Sequence, residues 1–210
     1  MKNIVKFLVI VAILVVISVI IINIINKDDE LVVCIDAGHG GTDVGAGLDD
    51  RYEKDDVLKV SKLVEKYLEE KNIRVIMTRD KDIAISLQER CKIANKKKAD
   101  LFVSIHRNSA TAGNGIEIWV NSRKDRKDIE LANAILSELE NTEIQNNRGI
   151  KYGTIKGNNT DYYVLNNTKM PSCLIELGFI TDDKDNDLFD KNIESYAKAV
   201  ADGIVENLQI

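Results

Sequence analysis

Apolar positions divide this chain into two regimes. Residues 1–26 hold 20 apolar side chains and show no polar face. From residue 27 onward, short apolar runs alternate with stretches whose apolar residues recur every three or four positions. The first pattern predicts strands and the second helices. Leu31-Val-Val-Cys-Ile35 predicts a buried strand, and a glycine-rich loop follows over residues 38–47. Val57, Val60, Val64, Tyr67 and Leu68 share one side of a helix over 53–71. Ile73-Arg-Val-Ile-Met77 predicts a second strand, and Ser86-x-x-Glu89 is a capping box opening a helix that runs to about Lys98. Leu101-Phe-Val-Ser-Ile105, residues 116–120 and Cys173-Leu-Ile175 predict three more strands. Ile129, Ala132, Leu136 and Leu139 mark one helix; Ile193, Ala197, Val200, Ile204 and Leu208 mark a closing one. Between His106 and Glu176 the pattern predicts strands, one helix and loops. This alternation implies an α/β fold: a single mostly parallel or mixed sheet covered by helices on both faces.

The N-terminal run adds an element of another kind. Residues 7–25 form 19 positions interrupted only by Ser18 and Asn23. At ~1.5 Å per residue they reach about 28 Å, close to the hydrocarbon thickness of a bilayer. Lys2 and Lys6 precede the run, and Lys27-Asp-Asp-Glu30 follows it. The basic flank stays in the cytoplasm, which sends residues 27–210 to the far side. A cleavable signal peptide should end in a small-x-small site, yet residues 18–30 contain neither Ala nor Gly. The expectation is therefore one uncleaved transmembrane helix within residues 1–26, followed by a single extracytoplasmic domain at 27–210.

Charge and composition narrow the function. The chain carries a net charge of −5, and residues 27–210 alone, with 27 basic and 34 acidic side chains, carry −7. A nucleic-acid binder should present a basic face, so that class is set aside. An extracytoplasmic domain sees no ATP, which sets aside kinases and ATPases. Three cysteines cannot form a fully paired framework. Cys34 and Cys173 lie in apolar strand-like runs and Cys91 in a helical one, which predicts buried free thiols. A Cys34–Cys173 bridge would need the two strands to be neighbours.

The two histidines of the chain occupy equivalent places. His39 follows the first predicted strand, and His106 closes Leu101-Phe-Val-Ser-Ile105. Glu176 likewise closes Cys173-Leu-Ile175. In open α/β sheets this edge is where ligands bind. Two imidazoles and a carboxylate form a set that catalytic zinc uses, with a further carboxylate as general base. Glu53, where the glycine loop meets the first helix, also reads as an ordinary carboxylate favoured by the helix dipole. Rival motifs fail. The glycine loop lacks the Lys-Ser/Thr of a P-loop, and Asp43 breaks a G-x-G-x-x-G spacing. No G-x-S-x-G elbow is present. A cysteine nucleophile is disfavoured by burial and by distance in sequence from either histidine.

Several ordered motifs now carry a resemblance. Val33-Cys-Ile-Asp-Ala-Gly-His-Gly-Gly-Thr-Asp-Val-Gly-Ala46 resembles the opening motif of zinc-dependent N-acetylmuramoyl-L-alanine amidases of the amidase-3 type. Met77-Thr-Arg-Asp80, Leu87-x-x-Arg90, Ala99-Asp-Leu-Phe-Val-Ser-Ile-His106, Arg148-Gly-Ile-Lys151 and Pro171-Ser-Cys-Leu-Ile-Glu-Leu-Gly-Phe-Ile180 are similar to that family in the same order. The resemblance implies that His39, Glu53 and His106 bind zinc, that Glu176 is the catalytic glutamate, and that Arg148 helps hold substrate. The substrate implied is peptidoglycan, cut between the muramic-acid lactyl group and L-alanine. One departure stands out. The family usually reads Ser-Ile-His-Ala-Asn-Ala, where this chain has Ser104-Ile-His-Arg-Asn-Ser109. Arg107 beside a ligand could meet an acidic stem peptide or weaken metal binding by its charge.

A small anchored amidase without wall-binding repeats resembles the spore-cortex (CwlD-like) branch of the family. That implies a role in cortex maturation and germination, in the space between the forespore membranes. It also implies a deacetylase acting downstream to form muramic-δ-lactam. A regulatory protein partner is expected separately, because an unrestrained amidase would destroy the wall. The alternatives are a non-catalytic peptidoglycan-binding or scaffold protein on an amidase fold, and a zinc deacetylase or carboxypeptidase acting on the same wall.

Overall fold

The computed structural model describes residues 6, 8, 11, 13–18, 30–153 and 161–209. The chain divides into two compact units, Met1–Leu31 and Val32–Ile210. In the first, residues 13–18 are helical and their apolar side chains are exposed. The expected span over 7–25 lies largely outside the described residues. Among those described, no helix is long and apolar enough to cross a membrane.

The second unit is an α/β domain. Its strands are β1 (Val32–Ala37), β2 (Gly47–Leu48), β3 (Arg51–Tyr52), β4 (Arg74–Met77), β5 (Leu101–Asn108), β6 (Ile116–Val120), β7 (Asn147–Tyr152) and β8 (Ser172–Phe179). Its helices are α1 (Glu53–Glu69), α2 (Leu87–Lys97), α3 (Arg126–Glu140), α4 (Tyr163–Asn167) and α5 (Asp183–Leu208). Six strands form one sheet in the order β4-β1-β5-β8-β6-β7, while β2 and β3 pair as a small hairpin. β4, β1, β5 and β8 run parallel. β6 is antiparallel to β8, and β7 follows β6. The sheet is therefore mixed, as expected.

Strand alternation sorts the core into two layers. Val33, Ile35, Val103, Ile105, Cys173 and Ile175 face α1, α3 and α5 in the larger one. Val32, Cys34, Phe102 and Leu174 face the other way, onto Cys91 and Ala94 of α2 and Val164 and Leu165 of α4. Both faces are covered, which is why the central strands read as unbroken apolar runs. Cys34 and Cys173 thus lie on opposite faces, with β5 between their strands. All three cysteines are buried and unpaired, and burial pushes the Cys91 thiol up to about 11.

Local signals explain the boundaries. Ser86 caps α2 by accepting a hydrogen bond from Glu89 N at 3.2 Å, and left-handed Lys98 ends that helix. β5 and β8 continue past the predicted strand ends, to Asn108 and Phe179. His106 and Glu176 therefore sit inside strands, not just beyond them. α5 begins ten residues before Ile193, because Asp182 caps it through Asp185 N. β7, α4 and the β2–β3 hairpin are elements the apolar pattern did not announce.

Candidate active site

The site forms at the C-terminal ends of β1, β5 and β8. His39 follows β1 with φ +56°, a left-handed conformation that an L residue seldom adopts. Two buried arginines hold that loop. Arg90 donates to the carbonyls of Ala37 and His39 and to Asp36. Arg79 donates to the carbonyls of Ala37, Gly38 and Lys54, tying the loop to the first turn of α1. The Met77-Thr-Arg-Asp80 and Leu87-x-x-Arg90 motifs thus build the support under His39 and Glu53.

Glu53 is the first residue of α1 and is buried. One carboxylate oxygen lies 2.8 Å from His106 Nδ1 and accepts from Arg107 N at 3.0 Å. The other lies 3.2 Å from His39 Nε2 and accepts from Ala46 N at 2.8 Å. His39 Nδ1 bonds Asp43 at 2.9 Å, which orients the ring. The two rings meet edge to face with centroids 4.9 Å apart. One candidate ligand atom from each of His39, Glu53 and His106 falls within 4.8 Å of the others. The two imidazoles therefore share one side of the sheet. Burial alone would raise the Glu53 carboxyl, but hydrogen bonds with His106 and His39, and their charge, hold it below the usual carboxylate range. Burial pulls His39 down, and the Glu53 and Asp43 carboxylates outweigh it, so its net shift is upward.

Glu176 stands beside His106 in register on β8, with Glu117 of β6 on its other side. Burial, then the charges of Glu53 and Glu117, raise Glu176 well above the usual carboxylate range. Its Oε2 is buried without a hydrogen-bond partner. Glu117, by contrast, is fully engaged: Asn108, Trp119 and Arg148 all donate to it. Glu117, and Tyr162, which lines a cavity together with His39, Glu53, His106 and Glu176, escaped the sequence reading. Arg148 reaches Glu117 at 2.7 Å with its side chain 33% exposed, one residue removed from Glu176.

Arg107 does not meet a stem peptide, the first of the two roles its position beside His106 suggested, although its charge still draws the Glu176 carboxyl down against burial. Its side chain leaves β5 on the face opposite His106 and is fully buried. It bonds Asp56 and Asn186, each at 2.7 Å, and stacks over Phe189 at 4.3 Å. The guanidinium is therefore not open to a stem peptide. It braces α1 and α5 against β5 instead.

Two glycines make room for the cluster. A Cβ on Gly38 would lie 2.4 Å from the His106 ring, and one on Gly45 would lie 2.6 Å from both Glu53 and His39. The donor set, the free Glu176 oxygen and this cradle all fit a small divalent ion of the zinc type. Gly38 carries no left-handed strain, so Gly38→Ala is a steric test of the site alone. It is expected to displace His106 and cost about 10²-fold in kcat/KM with a matching loss of bound metal. Unchanged metal affinity would show that the ring has space to spare.

Asp36 lies beneath the cluster and is 1% exposed. It takes hydrogen bonds from Arg90, Thr78 and Ser104, each at 2.6–2.7 Å. Burial pushes its carboxyl up, but Arg90 and these donors outweigh burial, so the net shift is downward. A carboxyl lowered in the folded state adds stability above its unfolded value, about 3.9, and loses it as pH falls through the folded one. Asp36→Asn should thus flatten the acid limb of stability below about pH 4. At neutral pH it should cost about 3–5 kcal/mol by stranding Arg90. Urea midpoints across pH would measure both, and parallel curves for the two proteins would refute the assignment.

The fold and the cluster together define a hydrolytic enzyme with a candidate metal centre. The family follows from the comparison with known proteins: residues 33–206 match the N-acetylmuramoyl-L-alanine amidases of the amidase-3 type, and the chain belongs to that family. It is an amidase. YqiI of Bacillus subtilis is 39% identical over 178 residues, covering 84% of this chain and 82% of that protein. AmiC2 of Nostoc punctiforme, an N-acetylmuramoyl-L-alanine amidase, superposes with a TM-score of 0.76 at 36% identity, covering 86% of this chain and 98% of that one. The CwlD amidase from Clostridioides difficile, solved in complex with the GerS lipoprotein, gives 0.78 at 28% identity, covering 86% and 99%.

Proposed function

We propose that this chain hydrolyses peptidoglycan at the amide between the muramic-acid lactyl group and L-alanine, with one zinc ion held by His39, Glu53 and His106. The observation that carries the reading is the convergence of those three ligand atoms beside a buried glutamate with a free oxygen. When bound, the ion supplies Lewis acidity and a water that ionises near neutral pH. Glu176 takes the proton of the attacking water and passes it to the departing alanine amine. Its raised carboxyl suits the second task. Asp43 fixes the His39 ring, while Arg79 and Arg90 hold the loop that presents it. Arg148, one-third exposed beside Glu117, is the residue that holds substrate in this reading.

The finer setting belongs to the same proposal. The apolar run at 7–25, with Lys2 and Lys6 before it and the net-acidic Lys27-Asp-Asp-Glu30 after it, supports a single-pass anchor, with the catalytic domain outside the cytoplasm. The likeness to the CwlD amidase, solved with a lipoprotein, supports a regulatory protein partner; a role in the spore cortex and a deacetylase that consumes the peptide-free muramic acid complete the proposal. The test is digestion of vegetative and cortex peptidoglycan by the purified full-length protein, with and without a chelator, read by mass spectrometry. Release of whole stem peptides, lost on chelation and restored by zinc, is the expected result. Loss of only an acetyl group or a terminal residue would overturn the reaction, and binding without products would favour a non-catalytic wall protein.

A further inference from the structure

The candidate active site occupies one edge of the sheet, and the opposite edge has a chemistry of its own. There the fold brings three basic segments side by side. Lys96-Lys97-Lys98 ends α2 and leads into β5, Lys169 precedes β8, and Arg123-Lys-Asp-Arg-Lys127 joins β6 to α3. β5, β8 and β6 are neighbours in the sheet, and β6 is antiparallel to β8, so its end meets the start of β8. Hydrogen bonds tie the segments together: Asn95 bonds the carbonyl of Asn167 and the amide of Lys169, and Arg123 bonds Asn166. Arg123 pairs with Asp125, and Arg126 with Glu130. Among the described residues, no acidic partner stands against Lys96, Lys97, Lys98, Lys127 or Lys169, and all five are exposed. A groove of about 430 Å³ opens on this strip, lined by Arg123, Arg126, Lys127 and Lys169. Both acids in its wall are engaged, Asp125 by Arg123 and Asp128 by the amide of Ser172.

The strip is a segregated charge, because residues 27–210 carry −7 in total. The segments at the catalytic edge have the other sign, with Asp49, Asp50, Asp55, Asp183 and Asp187 all exposed. β1 also starts at the basic edge, where Val32 N donates to Asp100 beside the start of β5. The apolar run read as an anchor ends at residue 25, seven residue steps before Val32. Extended chain covers at most about 25 Å in that interval. A leaflet holding the anchor is therefore always within reach of this edge, and a short tether lets individually weak contacts add up. We propose that the strip from the end of α2 to the start of α3 docks on anionic phospholipid headgroups of the anchoring membrane and turns the catalytic edge outward. This rests on the single-pass reading given above and adds an orientation to it. His106 lies five residues along β5 from Leu101, about 17 Å from the strand start. The ligand cluster thus stands clear of lipid while the strip touches it, and the acidic catalytic edge is repelled by the same leaflet.

The experiment places the full-length protein in lipid nanodiscs, one set of phosphatidylcholine alone and one of phosphatidylcholine and phosphatidylglycerol in equal parts. Brief acetylation followed by mass spectrometry reads the reaction rate of each lysine. Lys96, Lys97, Lys98, Lys127 and Lys169 are expected to react roughly fivefold more slowly in the anionic discs. Lys184 at the catalytic edge and Lys59 on α1, both exposed, should react alike in the two sets. The protection should vanish in about 1 M salt, where the screening length falls to ~3 Å. The double variant Lys97→Glu with Lys127→Glu changes two exposed side chains without ion pairs, so the fold is kept. In it, Lys169 should react in anionic discs as fast as in neutral ones. Equal rates at the strip in both sets of discs would overturn the docking and leave the anchor standing. Protection by soluble poly(glycerol phosphate), with none from anionic discs, would assign the strip to a wall polymer and overturn the lipid proposal. Protein that enters neither set of discs would overturn the anchor, and the docking with it.

Discussion

Glu176→Gln is expected to reduce turnover of muropeptide by roughly 10²–10⁴-fold while zinc stays bound. The variant keeps the shape of the side chain and removes its ability to accept and return a proton. Two structural facts favour so large an effect. Glu176 Oε2 has no protein partner to satisfy it, so the group is not committed to holding the fold together. Its neighbours on the sheet are His106 and Glu117, so the carboxyl borders the ligand cluster directly. The near-isosteric amide keeps the packing, so the variant should fold as wild type does, and loss of activity should not be accompanied by unfolding. The check is a pair of measurements on one preparation: kcat on a defined muropeptide, and zinc content after dialysis. A variant with near wild-type kcat would remove Glu176 from the chemistry. A variant that lost its zinc would make it a ligand.

Much of this could be read from the chain before any coordinates, and the parts that could not have identifiable reasons. The central strands were legible because a sheet covered on both faces leaves unbroken apolar runs. β6 and the Ser86 capping box fell where the pattern put them. β7, an edge strand of mostly polar residues at half-buried positions, carries no such signature. α4, with five residues, is too short to display a period. The first turns of α5 are nearly all acidic, lysine or asparagine, so their signal is the Asp182 cap rather than an apolar stripe. In the site, the two histidines were conspicuous by rarity. Glu53 was not, because a carboxylate opening a helix is ordinary. Only the return of the loop, which brings Ala46 N and the His39 ring onto it, turns that carboxylate into a centre of convergence. Glu117 offered one usable hint, an acidic residue inside an otherwise apolar strand. Its partners Arg148 and Asn108 come from separate strands, and no spacing rule announces them. Arg107 misled for a related reason: adjacent residues on a strand point to opposite faces, so the neighbour of a ligand is directed away from the ligand's site.

Glu53→Ala is expected to lose the metal altogether and, with it, activity. Glu53 is the member of the cluster whose carboxylate reaches a ring nitrogen of both others, at 2.8 Å from His106 and 3.2 Å from His39. Without it, two imidazoles would remain, a set that binds zinc weakly. Loss of a supporting group around a metal costs about 10–100-fold in affinity, so removal of an anionic ligand should exceed that range. The fold should also suffer. Ala46 N and Arg107 N both donate to Glu53, and each orphaned amide costs about 1–3 kcal/mol if water does not replace the carboxylate. Glu53→Gln separates the two effects, since its amide oxygen can still accept while the negative charge is gone. The prediction is an order: wild type binds zinc most tightly, Gln much less, Ala least. Stability without metal should fall mainly in Ala. Competition with a chromophoric chelator gives the first series and urea denaturation in excess chelator gives the second. If Glu53→Ala held stoichiometric zinc against the chelator as wild type does, the three-ligand centre would be wrong, and the ion would have to be sought on another carboxylate.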